Sequence, residues 1–214
     1  APAAKLDAMS RLGAELVKAP FDQCWSAMEE RAHPAMRGTF VHPFEDDEFI
    51  AGNASMGIEI LEDLPEVNAI VAAFGGGGLA CGIAAAVKER GSKAKVFGAE
   101  PETAFPLTYS LEAGSAQKFP NWSRSWVDGC GGKSVFPRMW ELAHHLLAGA
   151  VVVTLEEIRQ AMRIVAERNR VIIEGAAGCA VAAGLSGKCG PGKVVCVVSG
   201  GNIDLTKFCE LVTG

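Results

Sequence analysis

The chain has 214 residues, 49% of them hydrophobic and 21% charged, a balance that describes an ordinary soluble globular protein of one or two domains. A formal charge of −5 at pH 7 and a pI near 5.4, with no basic run, exclude nucleic acid as the main partner. Glycine and charged residues interrupt every apolar stretch before it reaches membrane-spanning length, so no membrane partner is expected.

In chain order, Leu6, Met9, Leu12 and Leu16 recur at helical intervals and predict a helix over 4–16. Asp22 is placed to cap a second helix over 23–32, with Pro34 just past its end. Gly38-Thr39-Phe40-Val41 reads as a short strand, His42-Pro43-Phe44 as a turn and 45–62 as a helix. A strand–helix–strand unit follows: a buried strand over 70–73, a helix over 79–90 and a strand over 95–100. Residues 103–113 read as helix, and 114–132, rich in Gly, Ser, Asn and Trp, as an irregular loop. A helix over 133–148 leads to a strand over 150–153. Thr154 and Glu157 form a Thr-x-x-Glu capping box opening a helix to about Arg168. The small residues 175–184 predict a tightly packed helix, 194–198 a buried strand, and Leu205 starts the last helix. Continuous apolar strands alternating with helices give an α/β fold: an open parallel sheet with helices on both faces.

The seven cysteines (24, 81, 130, 179, 189, 196 and 209) form no Cys-x-x-Cys pair and no cluster with zinc spacing. Most lie in apolar runs, as small hydrophobes do, which points to a reduced, cytoplasmic protein. The N-terminus has no signal-peptide layout and does not begin with Met.

Two glycine-rich turns stand at strand ends. Gly75, Gly76, Gly77 and Gly78 link an apolar strand to a helix opening at Leu79, where free N–H groups and the helix dipole suit a phosphate. Ser199-Gly200-Gly201-Asn202 follows the last strand and offers a hydroxyl and an amide. Ligands of open α/β sheets sit at such carboxyl ends. Gly75-x-Gly77-x-x-Ala80 also fits a dinucleotide fingerprint, with Glu100, 23 residues after Gly77, near the ribose-binding position. NAD is therefore one candidate ligand, whereas no P-loop sequence is present.

Together Phe74-Gly75-Gly76-Gly77-Gly78-Leu79, Gly98-Ala99-Glu100-Pro101, Glu174-Gly175-Ala176-Ala177-Gly178 and Ser199-Gly200-Gly201-Asn202 resemble the tryptophan-synthase-β-like, fold type II pyridoxal-phosphate enzymes. The threonine/serine dehydratase and serine racemase branch is the most similar. The resemblance runs from Ala1 to about Asp204 and includes Ala3-Ala4-Lys5-Leu6, Gly13-Ala14-Glu15-Leu16, His42-Pro43-Phe44, Ile50-Ala51-Gly52-Asn53 and Glu59-Ile60.

It implies pyridoxal 5'-phosphate as cofactor, its phosphate held by N–H groups from Gly75 to Leu79 and its ring nitrogen facing Ser199, with Gly200 and Asn202 supporting the turn. A hydroxyl at that nitrogen weakens the ring as an electron sink and favours β-elimination from a hydroxy amino acid. On local grounds Ser199 or Asn202 could equally cap the last helix. Asp128 and Gly129 match the family's Asp-Gly turn near the ring edge.

The resemblance also implies a lysine bonded to the cofactor, in a Ser-x-Lys-x-Arg-Gly-Ala-type segment, and a Ser-x-Gly-Asn-His-type segment for the substrate carboxylate. Neither segment occurs among these residues. The chain is therefore expected to be N-terminally truncated, with 1–45 a remnant of the small α/β domain and 46–214 the large cofactor-binding domain. It should be inactive by itself, and associate with itself or with a chain supplying the missing N-terminal third, because uncovered core gives an apolar patch. A non-catalytic cofactor- or metabolite-binding oligomer is the alternative.

Of the ten lysines, Lys5 lies in a surface-helix pattern, and Lys133 is the one within a glycine-rich loop that could replace the missing amine. The branch's cation site is matched by Glu100 and Ala104, but Pro106 stands where its second acid belongs, so no metal is expected. His144 and His145 point to different helix faces and read as packing or surface residues. Trp122 and Trp126 line either a substrate path or a subunit contact, and Glu174 is an N-terminal helix acid.

Overall fold

The computed structural model describes residues 3–214. The helices before the sheet are α1 (Ala3–Arg11), α2 (Phe21–Glu30) and α3 (Asp47–Asp63). The sheet region runs β1 (Ala69–Ala73), α4 (Gly78–Glu89), β2 (Lys95–Pro101), α5 (Pro106–Ala113), α6 (Pro137–Leu146) and β3 (Gly149–Val153). It ends with α7 (Leu155–Asn169), α8 (Gly175–Leu185), β4 (Val194–Cys196) and α9 (Leu205–Thr213).

The four strands are parallel in the order β3-β2-β1-β4. Successive crossovers from β1 to β2 to β3 move one way across the sheet, and the crossover through α7 and α8 returns to the far side of β1. Connections thus diverge between β1 and β4, the topological switch point at which open α/β sheets form a ligand crevice.

Both faces are covered because β1 is apolar at every position. Its alternate residues feed two cores: Ala69, Val71 and Ala73 meet Ile158, Met162 and Ala177, while Ile70 and Ala72 meet Ile83, Leu107 and Met139. Each fully buried Ile, Leu or Met there contributes about 1.5–3 kcal/mol. Small residues in α8 let it sit against α7 without a gap, since a Cβ at Gly178 would stand 2.7 Å from the Met162 Cγ. The Thr154 capping box forms as expected, with the Thr154 hydroxyl accepting from the Glu157 N–H at 3.1 Å.

Several expected boundaries shift. The first helix ends at Arg11, before Gly13 turns the chain at φ +84. Pro20 rather than Asp22 stands at the N-cap of α2, and Asp22 lies in its first turn. Residues 38–41 pair with no strand, since the chain there serves to bring His42 into the core, and Val41 is left exposed. Pro137 sets the start of α6, and β4 stops at Cys196, leaving Val198 exposed.

Helix α2 has no buried residue and is fastened by contacts with the 114–136 stretch. Phe21 stacks on Trp122 at 5.5 Å, Trp25 meets Phe136 edge-on at 5.3 Å, and Asp22 pairs with Lys133 at 2.5 Å. The Trp122 Nε1–H donates to the Gly131 carbonyl at 3.1 Å, and Trp126 packs over Gly175. Both tryptophans are therefore used in packing within the chain.

Candidate functional site

Pairing of β1 with β4 brings the two glycine-rich turns side by side at the carboxyl end of the sheet. Gly77 holds φ +98 at the N-cap of α4, a conformation that a side chain would strain. A side chain at Gly76 would overlap the Phe44 ring, and a Cβ at Gly78 would come 2.6 Å from the Phe44 carbonyl oxygen. Gly75 lies under the Gly129 carbonyl, 3.1 Å from a built Cβ. The loop's smallness is thus spent on close packing as well as on shape. Its donors remain available: among the described residues, nothing accepts from the N–H groups of Gly75, Gly76, Gly77, Gly78 or Leu79. Such donors at the N-terminus of a 12-residue helix are the group a phosphate satisfies.

On β4's side, Ser199 and Asn202 are exposed and Gly200 is half-buried. The Gly200 carbonyl accepts from the Glu174 N–H at 3.0 Å, which ties the turn to the start of α8. Neither Ser199 nor Asn202 caps the last helix. Asp204 does, its Oδ1 accepting from Thr206 N–H at 2.9 Å and Lys207 N–H at 3.2 Å.

Lys5 was not expected at this place. Its Nζ donates to Glu174 at 2.9 Å and to Asp128 at 3.1 Å. Glu174 in turn stands beside the Ser199–Asn202 turn and the Asp128-Gly129 turn, its Oε1 3.2 Å from a Cβ built at Gly200 and 3.3 Å from one at Gly129. Burial opposes the charge on Lys5, but the two carboxylates outweigh it and hold its pKa above the ordinary value. No local signal could reveal this contact, because the partners lie 123 and 169 residues away. Lys5→Met is expected to lower stability by about 1.5–3 kcal/mol, the range of a hydrogen bond to a charged group. Amide exchange in α1 should rise with it, and unchanged exchange would show that the pair does not fasten the helix. Lys133, by contrast, lies at α2, paired with Asp22 and 5.0 Å from the Phe21 and Trp122 ring centres.

Glu100 is fully buried at the end of β2. Its Oε1 accepts from Leu107 N–H at 2.7 Å, and its Oε2 from Thr108 N–H at 2.8 Å and Thr108 Oγ1–H at 2.7 Å. Both oxygens therefore serve the first turn of α5, and Ala104 is buried beside them. Burial pushes the Glu100 carboxyl up to about 7 against the pull of those hydrogen bonds. Four of the cysteines are buried as expected, and burial pushes the Cys81 thiol up to about 12.

Known proteins resemble this chain in both fold and sequence. The catabolic L-threonine dehydratase TdcB of Staphylococcus aureus is 36% identical over 99% of the chain and 63% of its own length. L-threonine ammonia-lyase of Thermotoga maritima is 34% identical over 99% of the chain and 53% of its own length. Maize serine racemase superposes with a TM-score of 0.84 at 26% identity, covering 98% of this chain and 65% of that one. Threonine deaminase isoform 2 of Solanum lycopersicum gives 0.84 at 27%, over 99% and 63%. The chain thus spans between half and two-thirds of the length of these curated relatives. Residues 1–200 match the family described as "Pyridoxal-phosphate dependent enzyme", which leaves the dinucleotide reading of the glycine loop without support. A parallel sheet with phosphate-ready donors at its switch point, and relatives alike over nearly all of the chain, have one common explanation: the chain belongs to the pyridoxal-phosphate-dependent enzyme family.

Proposed function

We propose that this chain forms the cofactor-holding part of a threonine/serine-class dehydratase, with pyridoxal 5'-phosphate seated in the crevice between β1 and β4. One observation carries the reading: unpartnered N–H groups from Gly75 to Leu79 lie at a helix N-terminus, beside the Ser199 turn of the neighbouring strand. The cofactor, when bound, supplies an electron sink for breaking bonds at the amino-acid α-carbon. The chain's own part is to bind and orient it. Gly75, Gly76, Gly77, Gly78 and Leu79 take the phosphate, and Ser199 offers a hydroxyl, not a carboxylate, to the ring nitrogen. Gly200 and Asn202 shape that turn, and Lys5 pairs with both Glu174 and Asp128 at its side.

Residues 1–45 correspond in this reading to part of a smaller domain and 46–214 to the large one. The weak fastening of α2 supports that division. Because these residues hold no family-type lysine segment, turnover needs a segment that supplies it. Among the described residues the outer edge of β4 is unpaired, and Val198 and Ile172 are exposed, which favours association there with a second copy or with a chain supplying that segment. Seven unpaired cysteines favour a reducing compartment such as the cytoplasm. Among the described residues, no helix is long and apolar enough to cross a membrane.

A non-catalytic cofactor-binding role is favoured by one feature. Lys5 and Lys133 are each engaged as cations, by two carboxylates and by Asp22 with two rings respectively. Absorption titration with pyridoxal 5'-phosphate, followed by borohydride and peptide mass mapping, tests both readings. Saturable binding that inorganic phosphate competes away, with no lysine peptide gaining mass, is expected for this chain alone. Mass gained at Lys5 or Lys133 would show that it carries its own reactive amine. Absence of any phosphate-competed binding would overturn the site assignment.

A further inference from the structure

The last two turns of α6 carry Glu141, His144 and His145, whose ligand-type atoms all lie within 4.8 Å of one another. At 3.6 residues per turn, positions three and four along a helix fall about 60° to one side and about 40° to the other. Glu141 therefore sits one turn below and between the two imidazoles. The adjacent histidines converge on one side of the helix instead of diverging, their ring centres 3.8 Å apart at 84°.

His144 is already oriented as a metal-binding imidazole is. Its Nδ1–H donates to the Trp140 carbonyl at 2.7 Å, and its ring lies flat against the buried Trp140 indole, 4.8 Å away at 12°. A carbonyl oxygen only accepts, so the neutral ring carries its proton on Nδ1 and presents the Nε2 lone pair to an ion. Glu141 and His145 are exposed and free to adjust. The basic residue one turn before Glu141, Arg138, is turned to Asp47 instead. Carbonyls at the end of the helix add partial negative charge that favours a cation.

We propose that Glu141, His144 and His145 form a surface site for a divalent transition-metal ion of the nickel–copper–zinc group. Two imidazole nitrogens and one carboxylate suit these ions better than calcium or magnesium, which take all-oxygen shells. Metal–nitrogen bonds of about 2.0–2.1 Å put tetrahedral ligand atoms about 3.4 Å apart. The two exposed side chains close that difference by rotation, while Trp140 holds His144 in place. Three protein ligands leave a position open to water or to a donor from outside the chain.

The test uses nickel ion and the full 214-residue chain, read by calorimetry and by tryptophan fluorescence. One ion per chain should bind, with saturable quenching of the Trp140 emission. His144→Ala with His145→Ala should weaken binding at least about tenfold, and Glu141→Ala by a smaller factor. Trp140→Phe should keep the calorimetric binding and lose the quenching. Binding undiminished in the double variant would assign the ion to cysteines or to the remaining histidines, and no saturable binding by the parent chain would equally overturn the site.

Discussion

Gly76→Ala should lower stability by about 1–3 kcal/mol, the range for overpacking, and abolish phosphate-competed cofactor binding. The added methyl overlaps the Phe44 ring at its attachment carbon, so a small rotation of the ring does not clear it. Nor can the ring retreat. The His42 ring stands against it at 4.4 Å and the Phe136 ring at 5.2 Å, both edge-on. Relief has to come from the loop, which would carry the N–H donors out of register. A double-mutant cycle with Phe44→Ala isolates the clash: the pair should lose less stability than the sum of the two single changes. Gly52→Ala is the control, because nothing lies within 4 Å of its built Cβ in the interior of α3. It should gain about 0.5–1 kcal/mol. A Gly76→Ala protein as stable as its parent, binding the cofactor equally well, would refute this account of the loop.

Glu100 should make the fold less stable as pH rises. Its folded pKa of about 7 exceeds the ordinary value of 4.5, so the folded state holds the proton more tightly. The stabilisation is complete below the ordinary value and is lost as pH climbs through about 7. A difference of that size corresponds to about 3 kcal/mol at most. His42 acts in the opposite sense. Burial holds its pKa below 6.5, with Glu45, Asp46 and Arg31 adding smaller contributions of both signs, and its stabilisation is lost as pH falls. Glu100→Gln separates the two. It should cost about 1–3 kcal/mol, because its amide NH2 faces the N–H donors of α5, and it should remove the decline between pH 5 and pH 7. Denaturant titrations at several pH values measure both, and a decline surviving in the variant would place its origin elsewhere.

Much of this molecule was legible in its sequence because the relevant physics is local. The apolar run over 69–73, the Thr154 box and the small residues of α8 each carry their own periodicity or cap. Asp204 was missed as the cap of the last helix, although an acid directly before the first helical residue is a better cap than Ser199 or Asn202 further upstream. What escaped depends on contacts between distant segments. The turn of Glu100 toward α5 follows from packing, the crowding of Gly76 needs Phe44 some 30 residues earlier, and Lys5 finds its partners across nearly the whole chain. The boundary at residues 38–41 failed because a β-like composition says nothing about whether a neighbouring strand is present.

The strand order has a consequence for how the crevice comes into being. The β1–α4–β2 unit, which carries the phosphate donors, closes over fewer than 35 residues. The Ser199 side arrives only when β4, about 120 residues later, docks on β1. Loop-closure entropy makes that docking the slower, later event. A ligand bridging the two strands therefore grips the step completed last, so it acts on the rate of unfolding more than on the rate of folding. Occupancy would set how long this sheet survives once made, not how quickly it is made.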